Sequence, residues 1–211
     1  HFPPFCASVA PMNRAVGSRT IRADAVAKVT GEARFVDDLE FGGMLHAAVV
    51  RSPHPYARIR SIDSSAALGR EGVVAVVTAD DIPGQNVVHI VLDDQPLLAE
   101  KLVRYAGEPV AVIAATSRDV ARAAVGAVVV DYAPLEPLLD SRESAGNAIR
   151  LFGEDNVFAH HRIRRGDVEA GFAEADTVAE GEYRTGYQEH AYLEPQGMIA
   201  VPEPDGAMSV Y

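Results

Sequence analysis

Between Leu45 and Tyr132, short β-branched runs alternate with turn signals and capped helical stretches, and this alternation restricts the chain to layers of sheet and helix. Leu45 to Val50 is a mostly apolar run of the kind a buried strand has, and Ser52-Pro53-His54-Pro55 ends it, because two prolines cannot continue a central strand. Ala57 to Asp63 alternates apolar and polar at first, as a half-buried strand does. Ile59 and Ile62 fall out of strict register, which predicts one irregularity. Ser64 is expected to cap a short helix through Leu68. Gly72 then opens the β-branched run Val73 to Thr78, with Thr78 expected to cap a turn of helix that Pro83-Gly84 ends. After a loop at Asp93 to Pro96, Pro109 to Ala115 reads as a buried strand. Thr116-Ser117 caps a helix whose Val120, Ala121, Ala124 and Val125 share one face. Val128 to Tyr132 is a further strand, and Pro134 and Pro137 close the unit. The fold class expected is α+β.

The flanks are less regular. Val29 to Asp38 reads as a turn and short strand, punctuated by Gly42-Gly43. Asp140 to Asn156 is polar without clear period, so a domain boundary is placed there. Asp167 is expected to cap a short helix from Val168 to Ala173, Thr177 to Thr185 alternates as a strand does, and Met198 to Val201 is another strand. Pro204-Asp205-Gly206 makes a turn into a last one. The resulting division is a tail or linker at 1–18, one domain at 19–142 and the start of another at 143–211. His1 is not an initiator, and Met208 to Tyr211 reads as a strand that stops as it begins, so both ends read as those of a fragment.

Composition narrows the function classes. The net charge of -11, from 19 basic and 30 acidic residues, repels phosphate backbones and argues against nucleic acid. A single cysteine, Cys6, allows no intrachain disulfide and no zinc or iron-sulfur cluster held by this chain alone. No apolar run reaches the ~20 residues a membrane helix needs, and residues 1–11 lack the basic flank and apolar core of a signal peptide. A cytoplasmic chain with no membrane partner is expected.

Three stretches carry a family resemblance. The first runs from Arg22 through Lys28, Thr30, Gly31 and Glu32 to Asp37-Asp38. The second runs from Leu45-His46 through Arg51-Ser52-Pro53-His54-Pro55 to Ile59, followed by Gly72 to Gly84. The third is Tyr187-Gln188-Glu189-His190-Ala191-Tyr192-Leu193-Glu194-Pro195-Gln196. In this order and spacing the chain, from about Val16 to Tyr211, resembles the start of the molybdenum-binding large subunit of the xanthine dehydrogenase and aldehyde oxidase family, the molybdenum hydroxylases. The resemblance implies an α/β hammerhead domain followed by the beginning of a molybdopterin-binding domain. It implies a metal held by the dithiolene sulfurs of molybdopterin rather than by side chains, with water as the oxygen source. It further implies electron transfer to iron-sulfur clusters and FAD on partner subunits or domains. The family's Gly-rich cofactor loop and its catalytic Glu are expected beyond Tyr211, in the remainder of the molybdenum subunit, which leaves no catalytic residue in this segment. The substrate implied is a small molecule, an N-heterocycle of the xanthine or nicotinate type or an aldehyde. A non-catalytic assembly subunit of a split molybdenum enzyme is the alternative, and an unrelated binding module sharing only the layered fold is a third.

Gln188 and His190 are the candidate cofactor-binding residues, ordering the molybdenum pocket from outside its ligand set. The competing reading is a buried polar network at a strand end, with Glu189 and Glu194 bonded to backbone or Arg. Direct metal ligation by Glu189, His190 and Glu194 is disfavoured because Pro195 pushes the preceding residue out of helix. His160, His161, Arg162, Arg164 and Arg165 form a cationic cluster that could steer an anion, or simply be a solvated face. Gly166, Gly171, Gly181 and Gly186 lack dinucleotide spacing. Asp37-Asp38 and Asp80-Asp81 are adjacent acids that a strand would point to opposite faces, and Ser52-Pro53-His54 is a tight turn without triad context.

Overall fold

The β-branched run Pro109–Ala115 becomes the middle strand of a three-stranded antiparallel sheet, with Val110, Ala111, Ile113 and Ala115 buried. The computed structural model describes residue 19 and residues 21–89, 92–193 and 196–211. In chain order the elements are α1 (Ala25–Thr30), β1 (His46–Arg51), β2 (Ala57–Asp63), α2 (Ser65–Leu68), β3 (Val73–Val77), β4 (Leu102–Val103), β5 (Pro109–Ala115), α3 (Arg118–Val125), β6 (Val129–Pro134), α4 (Ser141–Ser144), α5 (Val168–Glu174), β7 (Ala200–Pro202) and β8 (Met208–Val210). Single 3-10 turns lie at Val36–Asp38 and Ala79–Asp81. The described residues form two units: those within 42–184, and those up to 41 joined with those within 185–211.

In the larger unit one sheet has the order β1-β5-β3 and the other β4-β2-β6, all pairs antiparallel. The fold is thus α+β. The irregularity expected in β2 is a register shift between Ile59 and Ser61, where Ile59 faces Tyr132 and Ser61 faces Asp131. Helix α3 starts where Ser117 Oγ accepts the Val120 N–H at 3.2 Å, and it lays Ala121 and Ala124 on the first sheet. Alanine at these positions lets helix and sheet approach closely. Val50, Ala67, Ala111, Ile113, Ala124 and Val128 fill the space between them. Burying a side chain the size of Ile113 contributes about 1.5–3 kcal/mol. On the other side of β5, Val110 joins Ala57, Ala99 and Val103, and Ile62 and Val130 border both clusters.

Two buried polar residues close the seam between the sheets. Ser52 Oγ accepts the His54 N–H at 3.0 Å and donates to the His54 carbonyl at 3.1 Å, while the Ser52 backbone exchanges bonds with Glu108 O and Gly107 N. The buried Glu108 carboxylate accepts the Arg104 N–H. The Ser-Pro-His stretch is a tight structural turn.

Several local readings are corrected. Val29 to Asp38 holds no strand. Helix α1 runs to Thr30 and stops at Gly31, whose φ of 77° is left-handed; Asp38 then closes a 3-10 turn by accepting the Phe35 N–H at 2.9 Å. Thr177 to Thr185 is irregular and exposed and joins no ladder among the described residues, because alternation makes a strand face only where a neighbouring strand supplies hydrogen bonds. Ser64 does not cap α2 with its side chain; Asp63 does so, accepting the Ser65 N–H at 2.9 Å. At the next turn Asp81 caps Thr78, taking both its N–H and its hydroxyl. Helix α5 is capped as expected, Asp167 accepting the Ala170 N–H at 3.1 Å, and Gly206 (φ 87°) turns β7 into β8.

Candidate functional site

In the smaller unit the third sequence motif meets the first. The 3-10 turn at Val36–Asp38, together with Tyr192, Leu193, Gln196, Gly197 and Met198, lines a cleft of about 960 Å³, with Phe35, Val36, Leu193 and Met198 as apolar lining. A β-carbon at Gly197 would lie 3.5 Å from Val36 Cγ1 and 4.0 Å from Asp37 Oδ1, so a small side chain would fit there in ordinary contact with the turn. The hairpin of β7 and β8 continues from this loop. Ser209 Oγ donates to Glu203 Oε1 at 2.6 Å, and Tyr211 and Ile199 exchange backbone bonds at 2.9 and 3.2 Å. Tyr211 also carries the Phe41 ring, with centroids 5.3 Å apart.

Gln188 and His190 lie in the exposed, irregular run that enters this loop. The His190 ring stacks on Tyr192 with centroids 5.6 Å apart and planes 2° from parallel. Between them Ala191 has φ 49°, a left-handed conformation that a residue with a β-carbon adopts at a cost. Glu189 Oε1 accepts the His190 N–H at 2.9 Å. The buried network read as the alternative does not form here, since Gln188, Glu189 and His190 are exposed. Glu194 and Pro195 lie outside the described residues, as does Cys6. Gln188 and His190 are not among the residues that line the cleft; they precede Tyr192 and Leu193, which do. An amide and an imidazole are neutral hydrogen-bonding groups, a donor set suited to the polar rim of a pterin that brings its own sulfur ligands to the metal.

The remaining candidates stay apart from this cleft or serve local structure. His160, His161, Arg162, Arg164 and Arg165 are exposed and form no ion pair among the described residues. Asp38 and Asp81 are turn caps, and the Thr78 N–H and hydroxyl hold the Asp81 carboxyl below the usual carboxylate range. No group of three or more His, Cys, Asp or Glu among the described residues is arranged to hold a metal.

Residues 30–136, just over half the chain, match the a/b hammerhead domain of aldehyde oxidase and xanthine dehydrogenase, and residues 152–211 match the molybdopterin cofactor-binding domain. The chain belongs to the aldehyde oxidase and xanthine dehydrogenase family. Among its relatives in this molybdenum hydroxylase family is a probable xanthine dehydrogenase subunit of Bacillus subtilis, 44% identical over 90% of this chain and 26% of the relative. The nicotinate dehydrogenase large molybdopterin subunit of Eubacterium barkeri is 34% identical over 92% of this chain and 46% of the relative. The aldehyde oxidoreductase of Desulfovibrio gigas superposes with a TM-score of 0.82 at 33% identity, covering 90% of this chain and 22% of that structure. The chain therefore spans between about a fifth and a half of the length of these relatives.

Sequence reasoning took Gln188 and His190 as site residues but gave no role to Phe35, Val36 or Gly197, which shape the cleft. The first motif pointed to the family through Val36 and its neighbours; what it lacked was any sign that this stretch packs against a loop some 160 residues later.

Proposed function

We propose that this chain is part of a molybdopterin-dependent hydroxylase or dehydrogenase that oxidises an N-heterocycle of the xanthine or nicotinate type, or an aldehyde, with water as the source of oxygen. The observation that carries the reading is the match of residues 152–211 to the molybdopterin cofactor-binding domain, in which Gln188 and His190 precede Tyr192 and Leu193 on the wall of a partly apolar cleft. The names of the Bacillus and Eubacterium relatives support the heterocycle branch, and that of the Desulfovibrio structure the aldehyde branch.

When bound, molybdopterin supplies a redox centre and its own sulfur ligands. The protein's part is to position and polarise. Gln188 and His190 would hydrogen-bond the rim of the cofactor, with the His190 ring held in orientation by its stack on Tyr192. The base that completes the chemistry belongs to the remainder of the molybdenum subunit, and iron-sulfur and flavin subunits or domains carry the electrons away. A cytoplasmic setting is part of the proposal. Among the described residues no helix is long and apolar enough to cross a membrane.

The second reading, a non-catalytic assembly subunit of a split molybdenum enzyme, has one observation in its favour. Among the described residues every buried one lies between Val50 and Val128, so the hammerhead part carries its own core while residues 129–211 bury none. Turnover of xanthine, nicotinate and an aldehyde by the natively purified assembly in water labelled with heavy oxygen tests the first reading. Label in the product of one of them is the expected result. Label drawn from dioxygen, or no turnover of any, would contradict it.

A further inference from the structure

The stretch from Thr177 to Arg184 has the side-chain order of a strand without the hydrogen bonds of one. Gly181 and Tyr183 share a side: a β-carbon at Gly181 would stand 3.1 Å from Tyr183 Oη and 3.2 Å from its Cζ, so the ring lies back over the glycine. Glu182 and Arg184 pair with each other, Arg184 Nη2 donating to Glu182 Oε1 at 2.7 Å. Contacts between residues two apart are those of a pleated chain. That order sorts Thr177, Ala179, Gly181 and Tyr183 to one face and Val178, Glu180, Glu182 and Arg184 to the other. No backbone N–H or C=O from 177 to 184 finds a partner among the described residues. Helix α5 is equally bare. Val168 and Phe172, one turn apart, are 64% and 61% exposed, and with Val178 they border one open hollow. None of the described residues from 152 to 211 is buried, although this part matches a cofactor-binding domain. A domain is built around a core of its own, and here a core requires further chain laid on this face.

We propose that residues 177–184 are one strand of an incomplete sheet, and that the strand beside it, with the apolar side chains that cover α5, comes from the remainder of the molybdenum subunit. The inference rests on the reading that this chain is part of such a subunit. Three arguments favour this occupant. The chain spans 26% of the Bacillus relative and 46% of the Eubacterium one, so in each the greater length lies outside the matched part. A second copy fits worse. Antiparallel pairing of Thr177 to Thr185 with itself sets Glu180 opposite Glu182 at two places, and like charges directly opposite destabilise a strand pair. A separate partner subunit fits worse too, because a bare backbone edge beside an apolar helix face invites aggregation in any subunit that carries it uncovered.

The test uses the full-length molybdenum subunit purified natively with its partner chains. In the wild type, amides 177–184 should exchange about a hundredfold or more slower than those of an unstructured chain. A benzophenone amino acid in place of Tyr183 keeps an aromatic ring there and, on illumination, joins it to whatever lies against that face. The same probe in place of Phe172 reports on α5 and keeps the test valid if the first variant does not accumulate. The expected product is a cross-link to a peptide of the same polypeptide beyond Tyr211, with the denatured mass still that of one subunit. A cross-link to a partner chain or to a second copy, a cross-link back into residues 1–211, or unprotected amides across 177–184 would overturn the proposal. An assembly that holds no molybdenum or pterin would sink the cofactor reading instead. In that event the cross-linked peptide would still decide whether the same subunit completes the strand.

Discussion

At Gly72 the backbone φ is +84°, and a β-carbon there would come within 2.8 Å of Thr116 Oγ1 and 3.3 Å of Val120 Cγ1. The Gly72 carbonyl also accepts the Thr116 N–H at 2.8 Å, so the residue cannot move aside without loosening the start of α3. Gly72→Ala is expected to destabilise the chain by about 2 kcal/mol or more, read as a lower urea midpoint. Gly84→Ala, where a β-carbon meets nothing within 4 Å, is the control and should shift it little. Tyr132 gives a prediction of the opposite sign. Its hydroxyl is buried without a hydrogen-bond partner; the Tyr132 ring packs edge-on against His54 with centroids 5.0 Å apart, and Ser52 is near enough to temper its environment but spends its hydroxyl on His54. Tyr132→Phe removes the unpaired group and should raise stability by about 1 kcal/mol in urea denaturation. Burial pushes the Tyr132 phenol above its ordinary value of 10.0, so the folded state favours the neutral form. That contribution is fully present below this value and is lost as the pH rises through the folded one. An alkaline titration following tyrosinate absorbance should show one late-titrating phenol in the wild type that is missing from Tyr132→Phe.

Among the elements, α3 shows how far local pattern reaches. Ser117, the shared face of Val120, Ala121, Ala124 and Val125, and the burial of the two alanines all follow from a cap followed by a 3.6-residue period. Ser117→Ala should cost about 0.5–2 kcal/mol, measured as a drop in the thermal midpoint, with Ser64→Ala as a control that loses no side-chain cap bond. Strands β1, β2, β3 and β5 were equally legible, down to the bulge in β2, because each carries its own alternation or β-branched run. The failures have one cause. Leu102–Val103 is a strand only because Ala57 and Arg58 offer it a ladder, and Thr177 to Thr185 is not one because no ladder reaches it among the described residues. Pairing is a property of two segments, and a one-segment pattern cannot report it. At the turns, Asp63 took the capping role read for Ser64, since neighbouring side chains compete for the same N–H, while Thr78 stands at the N-cap as read and Asp81, like Asp38 at its own turn, accepts the N-cap N–H.

Across the whole molecule, the hammerhead core is built from residues 50–128, while the cofactor-binding region offers an open cleft and an exposed approach to it. The family was legible from three short motifs in order. The cleft was not legible: Phe35, Val36 and Gly197 act by shape, which is visible only once distant stretches are packed together, and Gln188 and His190, which stood out by residue type, are not among the residues that line it. The central claim is that this chain contributes part of a molybdopterin site in a larger assembly. Elemental analysis of the natively purified assembly, with the intact mass of every chain in it, tests that claim most directly. Molybdenum accompanied by iron, with this sequence either extended or joined by companion chains, is the result the account predicts. A lone chain with neither metal would contradict it.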